Sequence, residues 1–296
     1  MKQLSILTKI MFCIVAILLV ITVVLGIATA MKDGKENKEN NQNSTTVSPV
    51  PTQALTGTIT PEATETPTPL PTETPTPIPT STPVAGGHKI ALDPGQQKKA
   101  VTDDEPVGPG SSDMVDKMSY GATSVTTDKR EYEWSLPFTL KLKEELIVRG
   151  YEVVLTREAN DVNISNAERA QMANESGAEI YLSIQADAAS NLEAKGIYAQ
   201  IPGKSNPYVS DLYKESKRLA KGIQENLIDA TGTKDRGVQE NDKVAAINYS
   251  KIPVAVLQLG FMSNEEEDKN LWNEEYQNKM VKAICDGIDA YFQSQE

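Results

Sequence analysis

An α/β domain, with a mostly parallel twisted sheet and helices on both faces, is the fold class that residues 84–296 predict. Two observations carry that reading. Short apolar runs alternate with longer segments of helical periodicity, the order of strand–helix units. One of those runs, 253–259, is apolar at nearly every position, as suits a strand buried on both faces. A third observation sets this single domain at the end of a tether, because the preceding residues divide into a transmembrane segment and a disordered linker.

Ile10 to Met31 carry no charge, follow Lys2 and Lys9, and precede Lys32. Twenty-two residues at about 1.5 Å rise cross roughly 30 Å of hydrocarbon, so residues 1–31 read as a membrane anchor. Ala28-Thr29-Ala30 also suits signal-peptidase cleavage, which would release the chain, but cleaved signals have apolar cores of only about 7–15 residues. By either route the remainder is extracytoplasmic, in the cell envelope or secreted. Residues 32–83 hold ten of the seventeen prolines and many threonines. With almost nothing apolar to bury, such a segment stays extended and solvated. At about 3.1 Å per residue where it is polyproline-like, it reaches on the order of 100 Å.

Beyond residue 83 lie 35 of the 41 acidic and 24 of the 29 basic residues, a net charge of about −11. Nucleic acid, which is bound through basic surface, is excluded as a partner. Cys13 falls in the membrane segment and Cys285 near the C-terminus, so no disulfide framework is expected.

Along the domain, 89–92 reads as the first strand, stopped by the turn Asp93-Pro94-Gly95. The stretch 97–130 is rich in Gly, Pro, Ser and Asp and reads as a long loop, functional or disordered. Leu136, Leu140 and Ile147 recur at helical spacing across 132–149, with Gly150 as the stop. A second strand follows at 151–156. Ser165 with Glu168 forms a capping box that opens a helix ending near Gly177, and a third strand covers 179–184. A shorter strand is expected at 196–201, a long helix over 208–231 and a buried strand at 253–259. Ser263 with Glu266 gives a second capping-box signal for a final helix through much of 264–292.

Ligands of open α/β sheets bind at the carboxyl ends of the strands. Gln96, Gln185 and Gln258 each fall at such an end, although by residue type alone a glutamine there reads as a surface hydrogen-bonding group. Order and motif add more. Ile-Ala-Leu-Asp-Pro-Gly at 90–95, Arg-Glu-Tyr-Glu at 130–133, Leu-Thr-Arg at 155–157, Ala-Glu-Arg at 167–169, Ser-Ile-Gln-Ala at 183–186, Asp-Arg-Gly-Val at 235–238 and Leu-Gln-Leu-Gly-Phe-Met-Ser-Asn at 257–264 together resemble the N-acetylmuramoyl-L-alanine amidases of the amidase 3 family. The resemblance runs from about residue 89 to 291.

That resemblance implies a zinc-dependent hydrolase of the amide joining muramic acid to L-alanine in peptidoglycan. It implies zinc ligands at 96, 131 and 185, where this chain has Gln96, Glu131 and Gln185, and a catalytic glutamate at the position of Gln258. Only Glu131 keeps the family's residue type. A zinc-bound water needs imidazole or thiolate donors to hold the metal and lower the water's pKa toward about 7, and a neutral amide is a weak ligand. An amide at 258 also exchanges no proton in the working range.

The expectation is therefore an amidase-fold protein with a degenerate zinc site, no cofactor and little or no catalysis, binding a peptidoglycan stem peptide or a cell-envelope protein. Two alternatives stand beside it: an active zinc amidase of peptidoglycan turnover, and a purely structural partner-binding domain. A substitute oxygen-rich site built from Glu131, Asp93 and Asp187 would favour magnesium or calcium. The sole histidine, His88, reads as an exposed residue at the far end of the sheet. Glu133 points elsewhere on its helix, and Glu131 equally suits a helix's first turn electrostatically. Arg157 and Arg236 read as loop anchors.

Overall fold

The computed structural model describes residues 87–294. The expected anchor and linker lie outside the described residues. Among the described residues, no helix is long and apolar enough to cross a membrane.

The strands are β1 (Lys89–Pro94), β2 (Val101–Pro106), β3 (Met114–Met118), β4 (Glu152–Leu155), β5 (Ile180–Asp187), β6 (Ile197–Ile201), β7 (Asp235–Glu240) and β8 (Val254–Phe261). The helices are α1 (Glu131–Val148), α2 (Asn166–Glu175), α3 (Tyr213–Thr231), the short α4 (Ala245–Asn248), α5 (Glu265–Trp272) and α6 (Glu274–Gln293). Six strands form one sheet in the order β4-β1-β5-β8-β6-β7. The first four run parallel, β6 runs antiparallel to β8, and β7 runs parallel to β6.

Period-2 alternation sends each strand's side chains to two separate cores. Ile90, Leu92, Leu182, Ile184 and Leu257 join Trp134, Phe138, Ile223 and Ile284 from α1, α3 and α6. Ala91, Tyr181, Val254 and Val256 join Ala170, Ala173 and Ile247 from α2 and α4 on the other face. After β1 the chain passes through α1 to the edge strand β4, then through α2 back across β1 to β5. Two successive connections leaving in opposite directions make the β1–β5 border a topological switch point, where such sheets open a crevice.

Three segments depart from the sequence expectation. The stretch 97–130 is not one long loop: it contains the antiparallel hairpin β2–β3, whose Glu105 is buried and accepts from the Ala167 amide at the start of α2. Asp103, Asp104, Asp116 and Lys117 hide that hairpin from any hydrophobic pattern. β7, Asp-Arg-Gly-Val-Gln-Glu, is an edge strand held by backbone pairing to β6, and its polar composition gave no strand signal. The last helix is two, because Asn273 ends α5 and caps α6 by accepting from Tyr276 N at 2.9 Å. The cap of α5 is Asn264, one residue beyond the expected Ser263; the Ser263 hydroxyl accepts from Ala189 N instead.

Candidate functional site

The β1 turn is built first, by two buried guanidinium groups. Arg169 donates to the Asp93 carboxylate and the Pro94 carbonyl at 2.7 and 2.8 Å, and to the Gln96 carbonyl and the Gln97 side chain at 2.9 and 2.8 Å. Arg157 donates to the carbonyls of Pro94 (2.8 Å) and Gly95 (3.0 Å), and Ser135 from α1 also donates to Gly95. This clamp holds Gln96 at φ 61°, a left-handed conformation that few non-glycine residues adopt.

Asp93 also accepts from Thr156 (2.5 Å) and Ser183 (2.7 Å). Burial alone would raise its pKa, but the Arg169 charge and these hydrogen bonds outweigh burial and hold the carboxyl below its ordinary value. Both carboxylate oxygens are thereby occupied from behind the cleft. Asp93 is thus removed from the oxygen-rich site that sequence reasoning allowed with Glu131 and Asp187.

From Asp93 a chain of hydrogen bonds runs along one sheet face. Asp93 is ionised and can only accept, so the Ser183 hydroxyl donates to it. Ser183 in turn accepts from Gln185 Nε2 at 3.1 Å, and Gln185 Oε1 accepts from Gln258 Nε2 at 2.9 Å. Asp93, Ser183, Gln185 and Gln258 continue the sheet face of Ala91, Tyr181 and Val256, and Gln185 lies directly opposite Gln258 in register. The amide orientations are therefore set by the carboxylate two links away. Gln258 is 8 % exposed, and its Oε1 is buried without a hydrogen-bond partner. Gly95 lets Gln185 lie against the turn, since a Cβ there would fall 2.5 Å from Gln185 Cγ.

Glu131, at the first position of α1, is 1 % exposed. Its carboxylate accepts from the backbone N–H groups of Ala122 (2.9 Å) and Ala186 (3.0 Å) and from the Gln96 amide. Burial pushes its pKa up to about 7, with a further rise from Asp187, against the lowering effect of those bonds. A loop closes over it. Ser119 donates to Gln96 Oε1 at 2.8 Å, and Gly121, at φ 73°, lies so close that an added Cβ would be 2.1 Å from Glu131 Oε2. The loop at 119–122 and the Asp93–Ser183 link escaped sequence reasoning. Period-2 counting back from Gln185 reaches Ser183, but nothing local marks Gly121 as a cover.

The structure thus brings Gln96 to Glu131 and Gln185 to Gln258, both pairs around the ends of β1, β5 and β8. Among the described residues, no three His, Cys, Asp or Glu side chains are grouped to hold a metal ion. β5 continues to Asp187, which accepts from the Tyr198 hydroxyl at 2.5 Å. Tyr198 comes from β6 and lies opposite Gln258 in register, so this bond spans β8. Glu133 turns back to accept from Arg130 N. His88 sits at the opposite end of the sheet but is half-buried rather than exposed: it stacks on Phe292 at 4.0 Å and bonds to Glu179. Arg157 is the turn anchor described above. Arg236 anchors little, its guanidinium making one hydrogen bond, at 3.4 Å, to the Lys195 carbonyl.

A family model described as N-acetylmuramoyl-L-alanine amidase matches residues 90–290. The chain is 36 % identical over 155 residues to the uncharacterized protein YqiI of Bacillus subtilis (strain 168), covering 52 % of this chain and 68 % of that one. It is 34 % identical over 167 residues to the N-acetylmuramoyl-L-alanine amidase LytC of the same organism, covering 55 % of this chain but only 31 % of LytC. Among solved structures, an N-acetylmuramoyl-L-alanine amidase from Clostridium difficile 630 superposes with a TM-score of 0.59 at 26 % identity, covering 71 % of this chain and 99 % of that one.

Proposed function

The chain belongs to the N-acetylmuramoyl-L-alanine amidase family, and from that premise we propose that it binds peptidoglycan stem peptides in the family cleft without hydrolysing them, tethered to the outer face of the membrane by its N-terminal segment. The observation that carries this reading is the amide pair Gln185–Gln258, wired through Ser183 to Asp93.

Zinc does not fit the donors present. Gln185 Oε1 and Gln96 Oε1 accept from Gln258 and Ser119, and each Glu131 oxygen accepts from a backbone N–H. A metal at these positions would have to break those bonds in exchange for one carboxylate and two weak amide ligands. Gln258, where the resemblance places a glutamate, does not titrate near neutrality and so neither takes up nor delivers a proton, and loss of such a group typically removes roughly 10² to 10⁴ in rate.

The test is zinc content and peptide release. Purified full-length protein is expected to hold far less than one equivalent of zinc and to release no peptide from muropeptides. The combined substitutions Gln96→His, Gln185→His and Gln258→Glu are expected to gain about one equivalent. Near-stoichiometric zinc in the natural chain, with release of peptide, would refute the reading.

One observation favours a second reading, a weak hydrolase. Glu131 titrates near 7 beside Asp187 in a cleft, and perturbed carboxylates of this kind serve as general acids or bases. That reading predicts slow release abolished by Glu131→Gln.

A further inference from the structure

On the wall beyond Gln258, the β7 side chain Arg236 is exposed and stands over two rings, its Cζ 4.9 Å from the Phe261 centroid and 5.7 Å from that of Tyr198. Both rings are buried, so they form a fixed platform. Its stem is seated as well. Gly196, at φ 114°, leaves room for it, since a Cβ there would lie 2.9 Å from Arg236 Cγ and 3.1 Å from Cδ. Arg149, Arg169 and Arg218 each pair with a carboxylate, whereas Arg236 has only the 3.4 Å bond to Lys195 O and no carboxylate partner among the described residues. In a chain of net charge −12, that is a preorganised guanidinium fork with all but one of its donors unspent.

Its position is tied to the cleft through Tyr198. That ring lies opposite Gln258, its hydroxyl donates to Asp187, and Asp187, Arg236 and Glu131 all act on it electrostatically. The floor of the cleft offers neutral amides and the carboxylates of Glu131 and Asp187, and Arg236 supplies a cation on the β7 side.

We infer that Arg236 anchors a carboxylate of the bound ligand at the mouth of the Gln185–Gln258 cleft, selecting acidic over amidated peptides. This rests on the muropeptide-binding reading. A muramic-acid-linked stem peptide carries a free carboxyl, or its amide, one residue beyond L-alanine. A stacked fork can grip a carboxylate with two parallel bonds, which an amide cannot match.

The experiment titrates the full-length protein, by calorimetry at low salt, with the γ-methylamides of N-acetylmuramoyl-L-alanyl-D-glutamate and of its D-isoglutamine counterpart, which differ only in the carboxyl one residue beyond L-alanine. The acidic probe is expected to bind about tenfold tighter, as a charge-assisted contact allows, and the margin should shrink as salt rises. Arg236→Ala should erase the preference while leaving affinity for the amidated probe within about twofold, since only the charged contact is removed. Arg236→Lys should keep part of the preference, because an ammonium retains charge without the fork. Equal binding of both probes by the natural chain, or a preference that survives Arg236→Ala, overturns this inference alone. Failure to bind either probe overturns the muropeptide reading and this inference with it.

Discussion

Replacing Gln258 by Met is expected to stabilise the domain, although it removes a hydrogen bond from the centre of the site. Two effects compete. The substitution deletes the Nε2 donor to Gln185 Oε1, a bond whose net worth is about 1 kcal/mol. Gln185 is half-buried, so water takes the vacated position and part of that loss is recovered. Against this, Gln258 Oε1 is buried without a partner, and its desolvation costs about 1–3 kcal/mol, all of which the thioether avoids at nearly equal volume. The difference favours Met by about 1 kcal/mol, or about 2–4 °C in Tm for a domain of this size.

Gln258→Glu should do the reverse. At 8 % exposure the new carboxylate would face Gln185 Oε1, which cannot turn away without breaking its bond to Ser183. Its pKa would rise in the folded state, so the penalty is absent below the unfolded value of about 4.3 and grows as pH rises through that value. The assay is urea denaturation followed by tryptophan fluorescence. Both tryptophans, Trp134 and Trp272, lie in this domain, so full-length protein serves. A Met variant less stable than the parent by more than 1 kcal/mol, or a Glu variant that matches it at pH 7, would refute the account of a chain with fixed polarity.

Other perturbations address the same geometry. Glu131, with its pKa raised to about 7, makes folding more favourable below its ordinary value of 4.5 and progressively less so from there to about pH 7. Glu131→Gln should flatten that part of the stability–pH curve, by about 3 kcal/mol at most, since each pKa unit is worth about 1.4 kcal/mol. Asp93 acts oppositely: its lowered pKa contributes stability that is lost only as pH falls below its ordinary value, so the two windows separate in an acid titration. Ser183→Ala removes the link between Asp93 and Gln185, should cost about 1–3 kcal/mol, and should shift the side-chain amide resonances of both Gln185 and Gln258. Gly121→Ala, at φ 73° and with no room for a Cβ, should lift the loop off Glu131, seen as faster hydrogen exchange at the Ala122 amide.

The sheet was legible in the sequence wherever strands are buried, because the apolar runs at 89–92, 179–184 and 253–259 have no other way to satisfy both faces. The hairpin β2–β3 and the edge strand β7 were not, because strands wetted on one or both sides carry charges at random parity, and only backbone pairing defines them. Within the candidate site, Gln96, Gln185, Gln258 and Glu131 were singled out from motif order, and they lie around the same strand ends. Their hydrogen-bond partners were not, since Ser119, Gly121 and Ala122 approach through a loop whose path no local pattern encodes. How far Arg236 acts as an anchor was illegible for a related reason: whether a guanidinium is spent on several carbonyls, as Arg157 is, or stacked on rings with a single 3.4 Å bond depends on tertiary neighbours.

Residues 185 and 258 constrain each other, and the constraint starts at Asp93. Arg169 keeps that carboxylate ionised, so Ser183 must donate to it and must accept from whatever stands at 185. A neutral histidine at 185 meets the requirement with one ring N–H and leaves its other nitrogen as a lone pair facing the cleft. Glutamine meets it with its amide N–H and likewise leaves an acceptor, but one too weakly basic for zinc. The link to Asp93 is thus blind to the exchange. Position 258 is not, because with glutamine at 185 it faces a fixed carbonyl oxygen and must supply a donor, which an ionised glutamate lacks and a second glutamine has. A histidine nitrogen facing an ionised glutamate can take up a proton and donate to it, which a glutamine carbonyl cannot do, so restoring glutamate at 258 alone should be more costly than restoring both positions together. A double-mutant cycle on Gln185→His and Gln258→Glu should therefore show a favourable coupling of about 1 kcal/mol or more in stability. Strict additivity would mean that the two side chains do not read one another.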